Sequence, residues 1–171
     1  MNTLKDYVEW KLTHSQKKPE PVASRNLFNK NNLVIQNNYY TVNPQSTESG
    51  VSFYTASNAT PTIYVQIAIV VGNAADFNGK TITFSTPSFW GTSGTKLAIM
   101  KSNVAIQNGS NITKVASVYC SKITVENKEY TDEKLCIILY AYKMGANELV
   151  TYDEIMVNEG SEILPYEPYK A

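Results

Sequence analysis

Few side chains in this 171-residue chain have the types and spacing that chemistry needs. His14 is the only histidine, so neither an imidazole-activated nucleophile nor a histidine-built zinc centre has the partners it requires. Paired carboxylates can hydrolyse glycosidic bonds when they flank the scissile oxygen. Asp132-Glu133, Asp153-Glu154 and Glu159 supply acids, but in turns and at strand edges where water solvates them. Gly91-Thr92-Ser93-Gly94 is followed by no Gly-Lys-Ser/Thr helix start and is no phosphate loop. Cys120 and Cys136 could form one disulfide, but both lie inside β-like apolar patterns, and two reduced thiols are the favoured reading. The chain reads as non-enzymatic and free of cofactors.

Binding chemistry is better represented. A sugar is held by a flat aromatic ring against its apolar face, with amides or carboxylates reaching its hydroxyls. Trp90 sits in the loop-like stretch Pro87-Ser88-Phe89-Trp90-Gly91 and is the best platform. Tyr39, Tyr40, Tyr54 and Tyr119 are further rings, with Asn37, Asn38, Gln107 and Asn108 as polar partners. The competing reading is that each ring fills a core or covers a sheet edge, and it is the favoured one for every ring.

The elements that must position these side chains are mostly strands. Asn, Ser and Thr are abundant and charged residues make up 18%, which suits β-branched strands joined by polar turns. Leu33–Ile35, Tyr39–Val42, Val51–Thr55, Thr62–Val71 and Thr81–Ser85 read as strands, the last with clean alternation after an Asn78-Gly79 turn. Lys96–Met100, Val104–Gln107, Lys114–Tyr119, Lys122–Val125, Lys134–Tyr142 and Tyr152–Val157 follow, with Asn108–Asn111, Glu126–Lys128 and Gly145–Asn147 as turns. Many short strands without an interior helix predict an antiparallel β-sandwich or barrel from about residue 25 to the end.

Residues 3–13 are the one helix candidate. Thr3 and Asp6 form a capping-box pattern, and Leu4, Tyr7, Val8 and Leu12 share one face with Trp10 off it. A linker bearing Pro19 and Pro21 follows. Eleven residues make a marginal helix in water, so it must dock on its own domain, on copies of itself or on another protein. Residues 1–24 are expected to anchor or oligomerise the chain, with packing on the sandwich as the alternative.

Fifteen basic and fifteen acidic side chains cancel, which argues against phosphate-driven nucleic-acid binding and against attachment to anionic membranes. No stretch approaches the roughly 20 apolar residues of a bilayer span. Met1–Leu12 has no hydrophobic signal core, so synthesis in a cytoplasm is expected.

The segment Ile155–Tyr169, close to the end of the sequence, carries the most specific pattern. Ile155-Met156-Val157-Asn158-Glu159-Gly160-Ser161 reads as a strand and glycine turn, and Pro165-Tyr166-Glu167-Pro168-Tyr169 as an extended tail. Together with Asn26-Leu27-Phe28 and Gly79-Lys80-Thr81-Ile82-Thr83, this ending resembles that of tail and minor structural proteins of phages and prophages of Gram-positive bacteria. The three anchors span residues 26 to 169, and only the last is specific. Met156 and Leu164 stand where that family commonly has Gln and Thr.

The resemblance implies a jelly-roll-like sandwich similar to carbohydrate-binding modules. It also implies a virion protein, made in the host cytoplasm, with other virion proteins as partners and a homotrimeric state. Host cell-wall polysaccharide of a low-GC Gram-positive bacterium is the implied ligand, and a capsid fibre, decoration or collar protein without a glycan is the alternative. Such domains often carry a structural calcium ion, for which Asp76, Asp132, Asp153 and Glu159 are candidates without a dense acidic loop. On the residues themselves, the tail reads as a fastening. Gly160 supplies an angle other residues resist, Pro165 and Pro168 pre-extend the chain, and Tyr166 and Tyr169 pack their rings while keeping hydroxyls wet.

Overall fold

The computed structural model describes residues 25–30, 35–36, 40–87, 95–101, 104–126 and 128–170. The helix candidate and linker at residues 1–24 lie outside the described residues. The rest is antiparallel β-structure, as the alternation predicts.

Among the described residues the strands are β1 (Ile35–Gln36), β2 (Thr41–Ser46), β3 (Val51–Thr55), β4 (Val65–Asn73), β5 (Thr81–Thr86) and β6 (Lys96–Lys101). They continue with β7 (Val104–Asn111), β8 (Thr113–Val115), β9 (Val118–Thr124), β10 (Lys134–Ala141), β11 (Leu149–Tyr152) and β12 (Met156–Glu159). A four-residue 3-10 helix, Ala74–Phe77, follows β4. The strands form a five-stranded sheet in the order β1-β4-β10-β6-β7, a three-stranded sheet β11-β3-β2 and a four-stranded sheet β12-β5-β9-β8.

One core joins all three sheets. Ile67 and Ile69 of β4, Leu97 and Ile99 of β6, and Leu135, Ile137 and Leu139 of β10 turn one face of the five-stranded sheet inward. They meet Val51 and Phe53 of β3, Ile82 and Phe84 of β5, and Val150 and Tyr152 of β11. Each such side chain contributes about 1.5–3 kcal/mol by leaving water. The period-2 alternation puts Ala68, Ala98, Met100, Cys136 and Ile138 on the other face, where they form a second, smaller apolar cluster. Apolar residues on both faces explain why Leu135-Cys136-Ile137-Ile138-Leu139 is an unbroken apolar run.

Two local details correct the sequence reading. Asn108–Asn111, expected as a turn, is the end of β7, which keeps pairing with β6 up to Lys96↔Asn111. Gly109 permits this: a Cβ there would lie 2.5 Å from the Leu97 carbonyl oxygen and 2.9 Å from that of Lys122. The chain then enters β8 and the four-stranded sheet almost at once, so turn-prone composition marks a crowded crossing between sheets. β2 begins at Thr41 and includes Pro44. It is an edge strand, with a register shift between Val42 and Gln45 and Asn43 at φ 48°. Proline and a bulge are tolerated at an edge, and both discourage pairing with another chain.

Candidate functional site

The C-terminal tail is fastened as a clasp, and its centre is a side chain the sequence reading did not single out for this role. Asn26 is 1% exposed. Its Nδ2 donates to the Ile155 carbonyl at 2.8 Å and to the Glu167 carbonyl at 2.9 Å. Its Oδ1 accepts from the backbone N–H groups of Phe28 and Val157, both at 3.0 Å. A buried amide is tolerable because every one of its donor and acceptor positions is used. The Leu27 N–H adds a bond to the Val157 carbonyl at 2.7 Å.

Glu167 completes the fastening. Its carboxylate accepts from the Arg25 backbone N–H at 2.5 Å and pairs with the Arg25 guanidinium at 3.3 Å. The Arg25 side-chain hydrogen bond, followed by its backbone N–H, holds this carboxyl below the usual glutamate range. Gly160 does adopt a positive φ, 101°, and its carbonyl accepts from the Thr83 hydroxyl at 2.7 Å. Glu159 pairs with Lys80 at 2.6 Å. Tyr166 and Tyr169 are half-buried, while Pro165 and Pro168 are exposed. The tail is therefore a fastening, held by polar bonds to the Arg25-Asn26 segment and carrying two half-buried tyrosine rings. The Asn26-Leu27-Phe28 tripeptide, and a Glu between two prolines, were the available signals.

The expected glycan residues separate. Trp90 and Tyr39 lie outside the described residues, and so does the side chain of Asn108 on β7. The anchoring set Leu4, Tyr7, Val8, Trp10 and Leu12 is likewise outside them. Tyr40 is partly buried and packs on the main core. Tyr119 is half-buried on β9 in the four-stranded sheet, with the Lys114 ammonium 5.5 Å from its ring centre. Tyr54 alone among the described candidates presents a widely exposed ring, 40% accessible.

The register gives Tyr54 its setting. β3 turns Val51, Phe53 and Thr55 inward, so Ser52 and Tyr54 face out. Tyr54 pairs with Val42 of β2 and with Leu149 of β11. Val42 is 40% exposed and Leu149 50%, so the three form one apolar row across the outer face of the three-stranded sheet. In the neighbouring row Ser52 pairs with Gln45 and Thr151. A ring flanked by aliphatic groups, beside a line of hydroxyls and an amide, is a surface that can meet both faces of a sugar's chemistry. Sequence reading found Tyr54 but missed its row, because cross-strand neighbours depend on register.

Two further features escaped it. Tyr64 stacks on Tyr142 with ring centres 4.5 Å apart and meets Tyr140 edge-on at 6.4 Å. Beside the clasp, a cleft of about 320 Å³ opens between Lys30, Glu48, Ser49, Glu154, Tyr166 and Pro168. Burial, then the charges of Glu154 and Glu48, push the Tyr166 hydroxyl's pKa up, so both carboxylates act on that phenol.

The calcium candidates do not converge. Asp76 accepts from Asn73, Asp153 from Ser49, and Glu159 from Lys80. Among the described residues no group of three or more metal-ligating side chains comes together. Cys120 and Cys136 are both free and buried, as the apolar patterns predict. No helix among the described residues is long and apolar enough to cross a membrane. Comparison of the chain with family models, with curated proteins and with solved structures finds no match.

Proposed function

We propose that this chain is a non-enzymatic structural protein of a bacteriophage or prophage particle, placed in the tail or baseplate. Its β-structure is a jelly-roll-like sandwich similar to carbohydrate-binding modules, and it adheres to host cell-wall polysaccharide. The observation that carries the adhesive reading is the exposed Val42–Tyr54–Leu149 row beside Gln45, Ser52 and Thr151. Rings stack on the C–H faces of sugars while hydroxyls and amides answer the sugar hydroxyls, and no bond is made or broken. The particle assignment rests on the resemblance of the ending. It gains physical sense because two of the resembling segments, Asn26-Leu27-Phe28 and Pro165–Tyr169, bond to each other. Residues 1–24 then serve to join the sandwich to other virion proteins or to two further copies of itself.

Sedimentation with purified cell walls of a low-GC Gram-positive host tests this. Tyr54→Ala is expected to lower retention at least about tenfold, the mark of an aromatic anchor, while leaving the fold intact. Equal retention of both proteins, or none of either, counts against adhesion. A specific observation favours the second reading, that of a purely architectural fibre, decoration or collar protein: the clasp ties both described ends of the chain together through Asn26 and Glu167, which is what a rigid spacer needs.

A further inference from the structure

The cleft beside the clasp is built differently from the Tyr54 face, and its chemistry selects a different ligand group. It lies where the turn carrying Glu48 and Ser49 meets the turn carrying Asp153 and Glu154, roofed by Tyr166 and Pro168. The two turns are locked together. The Ile155 N–H donates to the Ser49 carbonyl at 3.0 Å. Gly50 runs so close to β11 that a Cβ there would lie 1.9 Å from the Tyr152 carbonyl oxygen. Glu154 holds a left-handed backbone, φ 49°, a strained conformation that persists only where its surroundings enforce it. The two carboxylates are thus presented on fixed backbone before any ligand arrives.

Charge in the cleft does not balance. Glu48 and Glu154 face a single cation, Lys30, whose ammonium is held by the Glu48 carbonyl at 2.7 Å. One net negative charge remains beside an aromatic ring. The Tyr166 ring lines the same cleft, and an aromatic face attracts cations. A volume of about 320 Å³ is small, at the lower end of ligand pockets, and matches one sugar ring better than a chain of them.

We propose that this cleft binds a single hydroxyl-rich ring bearing a free ammonium, that is, an amino sugar with its amine unacylated. The ammonium sits between Glu48 and Glu154 against the Tyr166 ring, and the ring hydroxyls meet Lys30 and Ser49. A bare calcium ion is a poorer match, because it takes six to eight oxygens and the cleft's side chains offer two carboxylates.

Titration of the full chain with glucosamine, N-acetylglucosamine, glucose and calcium separately, followed by backbone amide resonances, tests the site. Glucosamine alone is expected to give saturable shifts centred on Glu48, Glu154 and Tyr166. Glu154→Gln and Glu48→Gln are each expected to weaken it at least about tenfold, the loss of one charge-assisted contact. Equal shifts from all three sugars, shifts from calcium but not glucosamine, no shifts at all, or unchanged affinity in both variants would overturn the proposal. Two variants are needed because Glu154 is strained; either one that folds gives the answer. Tyr54→Ala is expected to leave glucosamine affinity unchanged, so failure of the polysaccharide face and failure of the cleft are distinguishable.

Discussion

The Asn26 side chain donates to the Glu167 carbonyl at 2.9 Å, across 141 positions of sequence. The same Nδ2 reaches Ile155, and the same residue's Oδ1 takes the Val157 N–H. One buried amide therefore joins the first described segment, the last strand and the tail. The polar hub has a structural reason: Leu27 and Phe28 must lie beside β12, and backbone groups leaving a sheet edge there need partners.

Removing that amide should loosen both ends at once. Asn26→Ala leaves the Phe28 and Val157 N–H groups and two carbonyls without their partner, in a place too buried for easy hydration. A loss of about 2–4 kcal/mol is expected, read by urea unfolding, with a fall in midpoint and little change in slope. Asn26→Asp keeps the two acceptor contacts but places a buried charge beside two carbonyls, and should be no better than alanine. An alanine variant as stable as the parent would show that the clasp is incidental.

Acid should open the Arg25–Glu167 contact in a defined direction. The Arg25 side-chain hydrogen bond, then its backbone N–H, hold the Glu167 pKa below its ordinary value. A carboxyl depressed in the folded state contributes stability that is complete above its unfolded pKa, about 4.3, and lost as pH falls through the folded one. The difference in melting temperature between the parent and Glu167→Gln should therefore be present near neutrality and vanish in strong acid. The pair is exposed, so the effect is small. A difference that grows on acidification would contradict this assignment.

What the sequence made legible follows from the range of each interaction. Alternation in Thr81-Ile82-Thr83-Phe84-Ser85 and the apolar run of β10 are local signals, and both strands lie where they point. The role of the tail as a fastening could be read from Gly160 and the prolines, since backbone angles are also local. Asn108–Asn111 misled because Asn, Gly and Ser serve both turns and crowded crossings, and only the neighbouring Leu97 and Lys122 carbonyls decide between them. The Tyr54 row and the Glu48–Glu154 cleft were illegible for a stronger reason. Val42, Tyr54 and Leu149 become neighbours only through the pairing of β2, β3 and β11, and no spacing along the chain encodes that.

The two thiols give a chemical check on burial. Desolvation pushes the Cys136 pKa up to about 11, against a partial downward pull from Lys134. The reactive species is the thiolate, so from the ordinary 9.0 its population falls about a hundredfold on folding. At about pH 8 the native protein should react slowly with a thiol reagent at Cys136 for this reason and at Cys120 because its side chain is buried. Unfolding in denaturant should release two rapid equivalents. Reductant should leave the melting temperature unchanged. Recovery of no thiol after unfolding without reductant would mean a bridge that the free, buried pair does not have.

Two glycine substitutions separate steric crowding from backbone strain. At Gly50 a new Cβ would lie 1.9 Å from the Tyr152 carbonyl oxygen and 3.2 Å from the Asp153 Cα. Those are backbone atoms of a paired strand and its following turn, and they cannot swing aside. Gly50→Ala should cost at least about 3 kcal/mol, by forcing β3 away from β11. Gly79 has φ 74° with nothing within 4 Å of the built Cβ. There the penalty is the left-handed conformation alone, about 1–2 kcal/mol, or a melting shift of a few degrees. The same methyl is added in both cases, so the difference measures how tightly the Ser49–Gly50 turn is pressed against the Tyr152–Glu154 turn. Similar costs at the two sites would mean that the turns bearing Glu48 and Glu154 can part, and a cleft whose walls part so easily would not hold its two carboxylates at a fixed separation.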